Sequence, residues 1–223
     1  MKKLADMTSR HHGSRNRHRG FTLVELTIAL VVIGLLAASI FVGGSSLIDM
    51  ADRKATIKQL LDLRAASAQF KERYRFVPGD FPVGVEIATV SAVCRIGGSG
   101  AGNGDGLIQR AAAGASESTC AVDHLYQSGL LANPLLSTKY GAIDIMSRAD
   151  ASAYFTATTG AASTNNVRDT IRNVIVLENI PCSLAHGIDE ALDDGNLANP
   201  NGTVAGFSGV CVGSSMVWLA VGL

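Results

Sequence analysis

The feature that most constrains this chain is an uncharged apolar run near its N-terminus. No residue from Leu26 to Val42 carries a charge, and the wider stretch from Phe21 to Ile48 spans 28 residues. About 20 apolar residues cross the ~30 Å hydrocarbon core of a bilayer, so the run is long enough to span one. Lipid offers no partner to backbone N–H and C=O groups, and such a span must be helical. One residue breaks the pattern. Glu25 stands five residues into the stretch, where a carboxylate at membrane depth costs on the order of 3 kcal/mol. It needs a cation.

The charge upstream suggests one. Residues 1–20 carry Lys2, Lys3, Arg10, Arg15, Arg17 and Arg19 against Asp6 alone, a bias that keeps this side of a membrane protein in the cytoplasm. A cut between Gly20 and Phe21 would place a new α-amino group four residues before Glu25, about one helical turn away. Amine and carboxylate could then neutralise each other, within one chain or between neighbours.

The run Gly20-Phe21-Thr22-Leu23-Val24-Glu25, followed by an apolar helix, resembles the class III signal of type IV prepilins and type II secretion pseudopilins. The resemblance implies removal of residues 1–20 by a prepilin peptidase, N-methylation of Phe21, and a role for Glu25 in assembly through a neighbour's N-terminus. It also implies other pilin or pseudopilin subunits, an inner-membrane assembly platform and the lipid bilayer as partners. Two other readings are a secretory signal cut near Ala37-Ala38-Ser39 and a plain membrane anchor. Neither accounts for Glu25.

Charge and cysteine usage bear on the rest. Beyond residue 20 there are 13 Lys and Arg against 18 Asp and Glu, with no aromatic-basic cluster, so nucleic acid as an obligatory partner is not supported. Cys94, Cys120, Cys182 and Cys211 all follow the apolar run, on the side the charge rule places outside the cytoplasm. An even number there reads as two disulfides with three pairings open. The sequential pairing, Cys94–Cys120 and Cys182–Cys211, closes loops of about 25–30 residues, each worth around 3 kcal/mol in the chain-entropy model. No cysteine or histidine has zinc spacing.

Helical character continues past the apolar run. Leu47, Met50, Ile57, Leu60, Leu61, Ala65, Ala68 and Tyr74 recur at three- and four-residue steps among charges. A helix to about Arg75 would be roughly 80 Å long, ending where Val77-Pro78-Gly79 and Pro82 forbid continuation. This exit also resembles that of many pilin-like proteins. The glycine-rich stretch 97–106 fits neither a P-loop nor a dinucleotide site and reads as a flexible turn, although Asn103-Gly104-Asp105-Gly106 could offer oxygens to calcium. A short amphipathic helix follows over Glu117–Leu131, with His124 at the surface or satisfied in the core. Strands are expected at Lys139–Met146, Ala153–Thr159, Asn173–Ile180 and Met216–Val221, with a helix over Cys182–Leu192. Cys182 and His186 are four apart on that helix, and Gly209-Val210-Cys211-Val212-Gly213 has the spacing of a nucleophile elbow. Neither is accompanied by an acid–base set. Asp189, Asp193 and Asp194 lie before a Gly- and Asn-rich loop similar to the Asp-Asp-Gly loop of pilin-like proteins, some of which hold calcium there. Hard Ca²⁺ wants six to eight oxygens, which these carboxylates could begin to supply; the other reading is a solvated acidic turn.

The expected fold is α+β and pilin-like: a long N-terminal helix packed on a C-terminal antiparallel sheet with short helices. The expected segments are a cleaved basic leader (1–20), a transmembrane and filament-core helix (21–48), its amphipathic half (49–76) and an extracytoplasmic head (77–223). The resemblance implies a structural subunit, not an enzyme, resident in the inner membrane with its head periplasmic before filament assembly. The alternative is a minor, tip-located or solitary anchored protein whose head binds a ligand, as an adhesin or in DNA uptake.

Overall fold

The computed structural model describes residues 20–84, 86–134, 136–163, 167–207, 211–213 and 215–223, and of residues 39–46 the backbone alone. The basic residues of the leader, and Gly209 and Val210, lie outside the described residues. The chain divides into two units, Met1–Ile48 and Asp49–Leu223.

In the first unit, helix α1 (Leu23–Tyr74) begins directly after Thr22. Leu26, Ile28, Leu30, Val31, Leu35 and Leu36 are each between 56% and 66% exposed. A helix that is apolar all round must be covered by lipid or by other helices. Among the described residues no helix is long and apolar enough to cross a membrane. The uncharged run of the sequence continues through residues 39–46, whose side chains lie outside that description.

In the second unit α1 is amphipathic. Leu60, Leu63, Ala66 and Phe70 are buried at steps of three, three and four, the period of one helical face. The buried stripe is offset from the expected one: Leu61, Ala65 and Ala68 point outward, because the large side chains of Leu63 and Phe70 claim the core face.

That face packs on a four-stranded sheet. Its strands are β1 (Ile143–Ser147), β2 (Asn173–Pro181), β3 (Val204–Gly206) and β4 (Met216–Gly222). They are ordered β1-β2-β4-β3, with every pairing antiparallel. Side chains alternate between two apolar layers. Ile145, Ile175, Leu177, Leu219 and Val221 join Leu60, Leu63 and Phe70 on one side. Val174, Val176, Trp218 and Ala220 join Phe155 and Phe207 on the other. Both faces are covered, which explains why β2 reads as a near-continuous apolar run. A bulge between Leu177 and Ile180 carries Asn179 at φ 52, a left-handed conformation that Asn tolerates.

Helix α2 spans Glu117–Gln127, α3 spans Arg148–Thr159 and α4 spans Cys182–Leu192. Helix α3 overturns the strand expected at Ala153–Thr159. The Ser147 hydroxyl accepts from Asp150 N at its start, Gly160 takes a left-handed φ of 72 at its end, and Ala151 and Phe155 are buried one turn apart. Capping and an i, i+4 apolar pair outweigh the β-propensity of the Thr residues. Strand β3 carries no sequence signal, being three residues that include Ala205 and Gly206. The cysteines pair in chain order, Cys94–Cys120 and Cys182–Cys211, with Cα atoms 5.5 and 5.4 Å apart.

Candidate functional site

The N-terminal segment is the first candidate. Thr22 and Glu25 form a reciprocal cap: Glu25 N donates to Thr22 Oγ1 at 3.2 Å, and Thr22 N donates to Glu25 Oε2 at 3.3 Å. The Thr22 hydroxyl also donates to Glu25 Oε2 at 3.3 Å. This is a capping box, in which the third residue of the helix reaches back to the residue that caps it. The signal for it, Thr-x-x-Glu, stands in the sequence, where Glu25 attracts attention only as a charge in an apolar run. The box means that Glu25 has partners of its own in a single chain. A cation offered to it adds to these bonds or displaces them. Phe21 is 84% exposed, and a Cβ added at Gly20 would meet nothing within 4 Å. Among the described residues nothing stands where a side chain at Gly20 would go.

The acidic end of α4 is the second. Asp189, Asp193 and Asp194 bring one carboxylate oxygen each to within 4.8 Å of one another. Asp193 Oδ2 accepts from Thr203 N and, at 3.1 Å, from Val204 N. Asp194 Oδ1 accepts from Asn196 N at 3.0 Å, and its Oδ2 accepts from Asn199 Nδ2. Asp189 differs. It is fully buried, and neither of its oxygens has a hydrogen-bond partner. Burial, then the charges of Asp193 and Asp194, push its carboxyl up to about 6 against a smaller opposing pull from His186. Two uncommitted buried oxygens beside two further carboxylates fit the demand of a hard cation. Cys182, His186 and Cys211 also converge, but the two sulfurs are joined in a disulfide and offer no thiolate to a metal or substrate.

The glycine-rich stretch corrects the flexible-turn reading. Its backbone wraps the buried Asp80 carboxylate: Asn103 N and Gly104 N donate to Oδ1 at 3.0 and 2.5 Å, and Gly106 N donates to Oδ2 at 2.5 Å. Glu117, also buried, accepts from Asn103 N and Gln109 N at 3.2 and 2.8 Å, and burial raises its carboxyl above the usual range. The loop presents its N–H donors inward to Asp80. A Cβ at Gly102 would lie 2.2 Å from the Asp80 carbonyl carbon, so only glycine lets the loop close on that turn. His124 is a satisfied core residue. Gly79 N donates to its Nδ1 at 3.0 Å, its ring stacks 5.9 Å from that of Phe70, and burial lowers its pKa.

Residues 15–41 match the family model for the prokaryotic N-terminal methylation motif. The chain carries the type IV pilin and pseudopilin signal. The match encloses Gly20, Phe21 and Glu25 and the exposed apolar residues of α1 from Leu23 to Leu36. The pilin signal supports a type IV pilin-like or pseudopilin protein, structural in kind, anchored to a membrane, processed by a prepilin peptidase and assembled with other pilin subunits. No curated protein and no solved structure matches the chain.

Proposed function

We propose that this protein is a structural subunit, pilin or pseudopilin, of a type IV pilus-like or type II secretion filament. The observation that carries the reading is the methylation motif over residues 15–41, set on a helix whose apolar side chains are exposed in a single chain. In this reading residues 1–20 are the leader, cut between Gly20 and Phe21, and Phe21 is methylated by the same peptidase. Residues 21–48 span the inner membrane and then form the filament core. Residues 49–76 are the amphipathic half of the helix, and residues 77–223 form the periplasmic or extracellular head. Helix packing in a dry core relies on close approach at small residues such as Gly34 and Ala37. Glu25, the one carboxylate there, sets register by meeting the Phe21 amine of a neighbour, because a buried charge left unpaired is strongly penalised.

Asp189, Asp193 and Asp194 are the residues that would hold calcium, which would neutralise the cluster and tie the end of α4 to the loop before β3. The carboxyl oxygens of Asp189, free of hydrogen bonds, support this.

The test of the subunit reading is the intact mass and N-terminal residue of the membrane-extracted protein, with and without the prepilin peptidase. A chain starting at Phe21 and carrying one added methyl only in the peptidase-positive strain is expected. Glu25→Ala should then leave processing intact and abolish filament yield. A start near Ile40, or an uncut chain in both strains, refutes the reading.

A further inference from the structure

The face of α1 from Arg64 to its C-terminal exit borders a cleft of about 470 Å³, closed on the far side by the segment entering β2. Four cations line it: Arg64, Lys71, Arg75 and Arg172. They are four of the thirteen Lys and Arg that follow residue 20, in a stretch whose overall balance is acidic. Of the nine others, five pair with carboxylates, Arg53 with Glu190, Lys58 with Asp62, Arg110 with Asp144, Lys139 with Asp52 and Arg148 with Asp169, while Arg95 and Arg168 donate to backbone carbonyls. Among the described residues none of the four in the cleft makes an ion pair. Arg172 donates instead to the Asp105 carbonyl at 3.2 Å. Asp80, the one acidic side chain on the wall, is turned to the backbone N–H groups of Asn103, Gly104 and Gly106, and Leu223, with its α-carboxylate, also lines the cleft.

Three further observations belong to the same wall. Ser67 Oγ is buried without a hydrogen-bond partner. Arg75 holds φ at 67, the left-handed position at which helices commonly place glycine, so a long cationic side chain occupies a site where backbone preference argues against it. Burial pulls the Arg64 guanidinium below its ordinary value, the charge of Asp193 opposing this. A partly desolvated cation gains more from an anion than a solvated one does.

We infer that this cleft binds a small phosphate monoester, with its phosphoryl group among the arginines and Lys71 and an apolar or aromatic remainder against Phe76 and Ile171. Guanidinium forks match phosphate oxygens in bidentate geometry, and lysine adds a point charge. The volume lies within the roughly 300–1,000 Å³ of small-molecule sites. The apolar side chains on the wall argue for an organic phosphate over the bare ion.

The test is calorimetric titration of the full chain in detergent with phenyl phosphate and with inorganic phosphate. Phenyl phosphate should bind saturably and more tightly than inorganic phosphate. Lys71→Gln and Arg172→Gln, both at exposed positions, should each weaken it by about tenfold or more, with Trp218 emission reporting an unchanged fold. Three results overturn the proposal: no saturable binding at millimolar phenyl phosphate, equal affinity in wild type and both variants, or inorganic phosphate binding as tightly as the ester. None of these results depends on whether the chain enters a filament, which the processing and filament-yield experiments read separately.

Discussion

Replacing Asp80 by Asn should destabilise the second unit by about 2 kcal/mol. The Asp80 carboxylate is fully buried and accepts three backbone N–H groups from one loop. Hydrogen bonds to a charged group contribute about 1.5–3 kcal/mol each. An Asn side chain retains one acceptor oxygen and turns an NH₂ donor toward at least one N–H donor. It therefore loses one charge-assisted bond outright, weakens those that remain and leaves a buried donor unpaired, for a gross cost of about 3–5 kcal/mol. The opposing effect is relief of repulsion with Glu117, whose carboxyl Asp80 helps to raise. Both carboxylates accept from Asn103 N, so that relief is about 2 kcal/mol at the effective dielectric of partly buried pairs. The net loss corresponds to a fall in melting temperature of about 4–8 °C for a unit of this size. Trp218 is the single tryptophan and is buried in the layer facing α3, so its emission follows unfolding in urea. Asp105→Asn is the control: its carboxylate is exposed and caps only the Leu107 N–H and the Gln109 amide, and its cost should stay within about 1 kcal/mol. An Asp80→Asn loss below about 1 kcal/mol would refute the view that this carboxylate organises the loop.

Calcium should raise the melting temperature at pH 7 and lose most of that effect below about pH 6, where Asp189 takes up a proton. Asp189→Asn should abolish the calcium effect, and an unchanged response in differential scanning calorimetry would rule these carboxylates out as the site. Without calcium the sign follows from the raised folded-state value. Ionised Asp189 costs stability above about pH 6, and that cost disappears as pH falls toward the ordinary carboxylate value near 4. Asp189→Asn should therefore be more stable than the parent at pH 7 and no more stable at pH 4. His124 acts in the opposite sense. Its folded-state value is lowered, so its contribution is present above the unfolded value near 6.5 and is lost as pH falls below it. In the Asp189→Asn background the melting temperature should fall more between pH 7 and pH 5 than in the Asp189→Asn, His124→Gln double variant, which keeps the raised carboxyl groups of Glu117, Asp144 and Glu178; equal pH profiles would show that His124 charges without cost.

Legibility followed the range of the interaction. Glu25 stands out in one dimension because a single charge interrupts an apolar run, and the Thr-x-x-Glu spacing of its cap is just as local. Four cysteines beyond that run read as two disulfides because sulfur chemistry leaves few options outside the cytoplasm. Helix α4 was legible for a similar reason, its apolar residues keeping a helical period. Helix α3 was not, since Thr156, Thr158 and Thr159 suggest a strand until the Ser147 cap and the Phe155 contact are known. The glycine-rich stretch reads as loose for want of side chains, yet it is held by Asp80, more than 20 residues earlier in the chain.

What the sequence determined alone is the demand made by the apolar stretch from Phe21 to Ile48, broken by Glu25 alone. In lipid a stretch of that length has to be helical, and it has to be covered by something other than water, whatever the remainder of the chain does. Only the tertiary structure decided the chemistry of the head. It left Asp189 without a donor, turned Asp80 into an anchor for backbone N–H groups, and brought Arg172 to the cations of α1 a hundred residues away. Periodicity and valence act between near neighbours in the chain. Burial, desolvation and the gathering of like charges depend on which distant segments the packed core brings together.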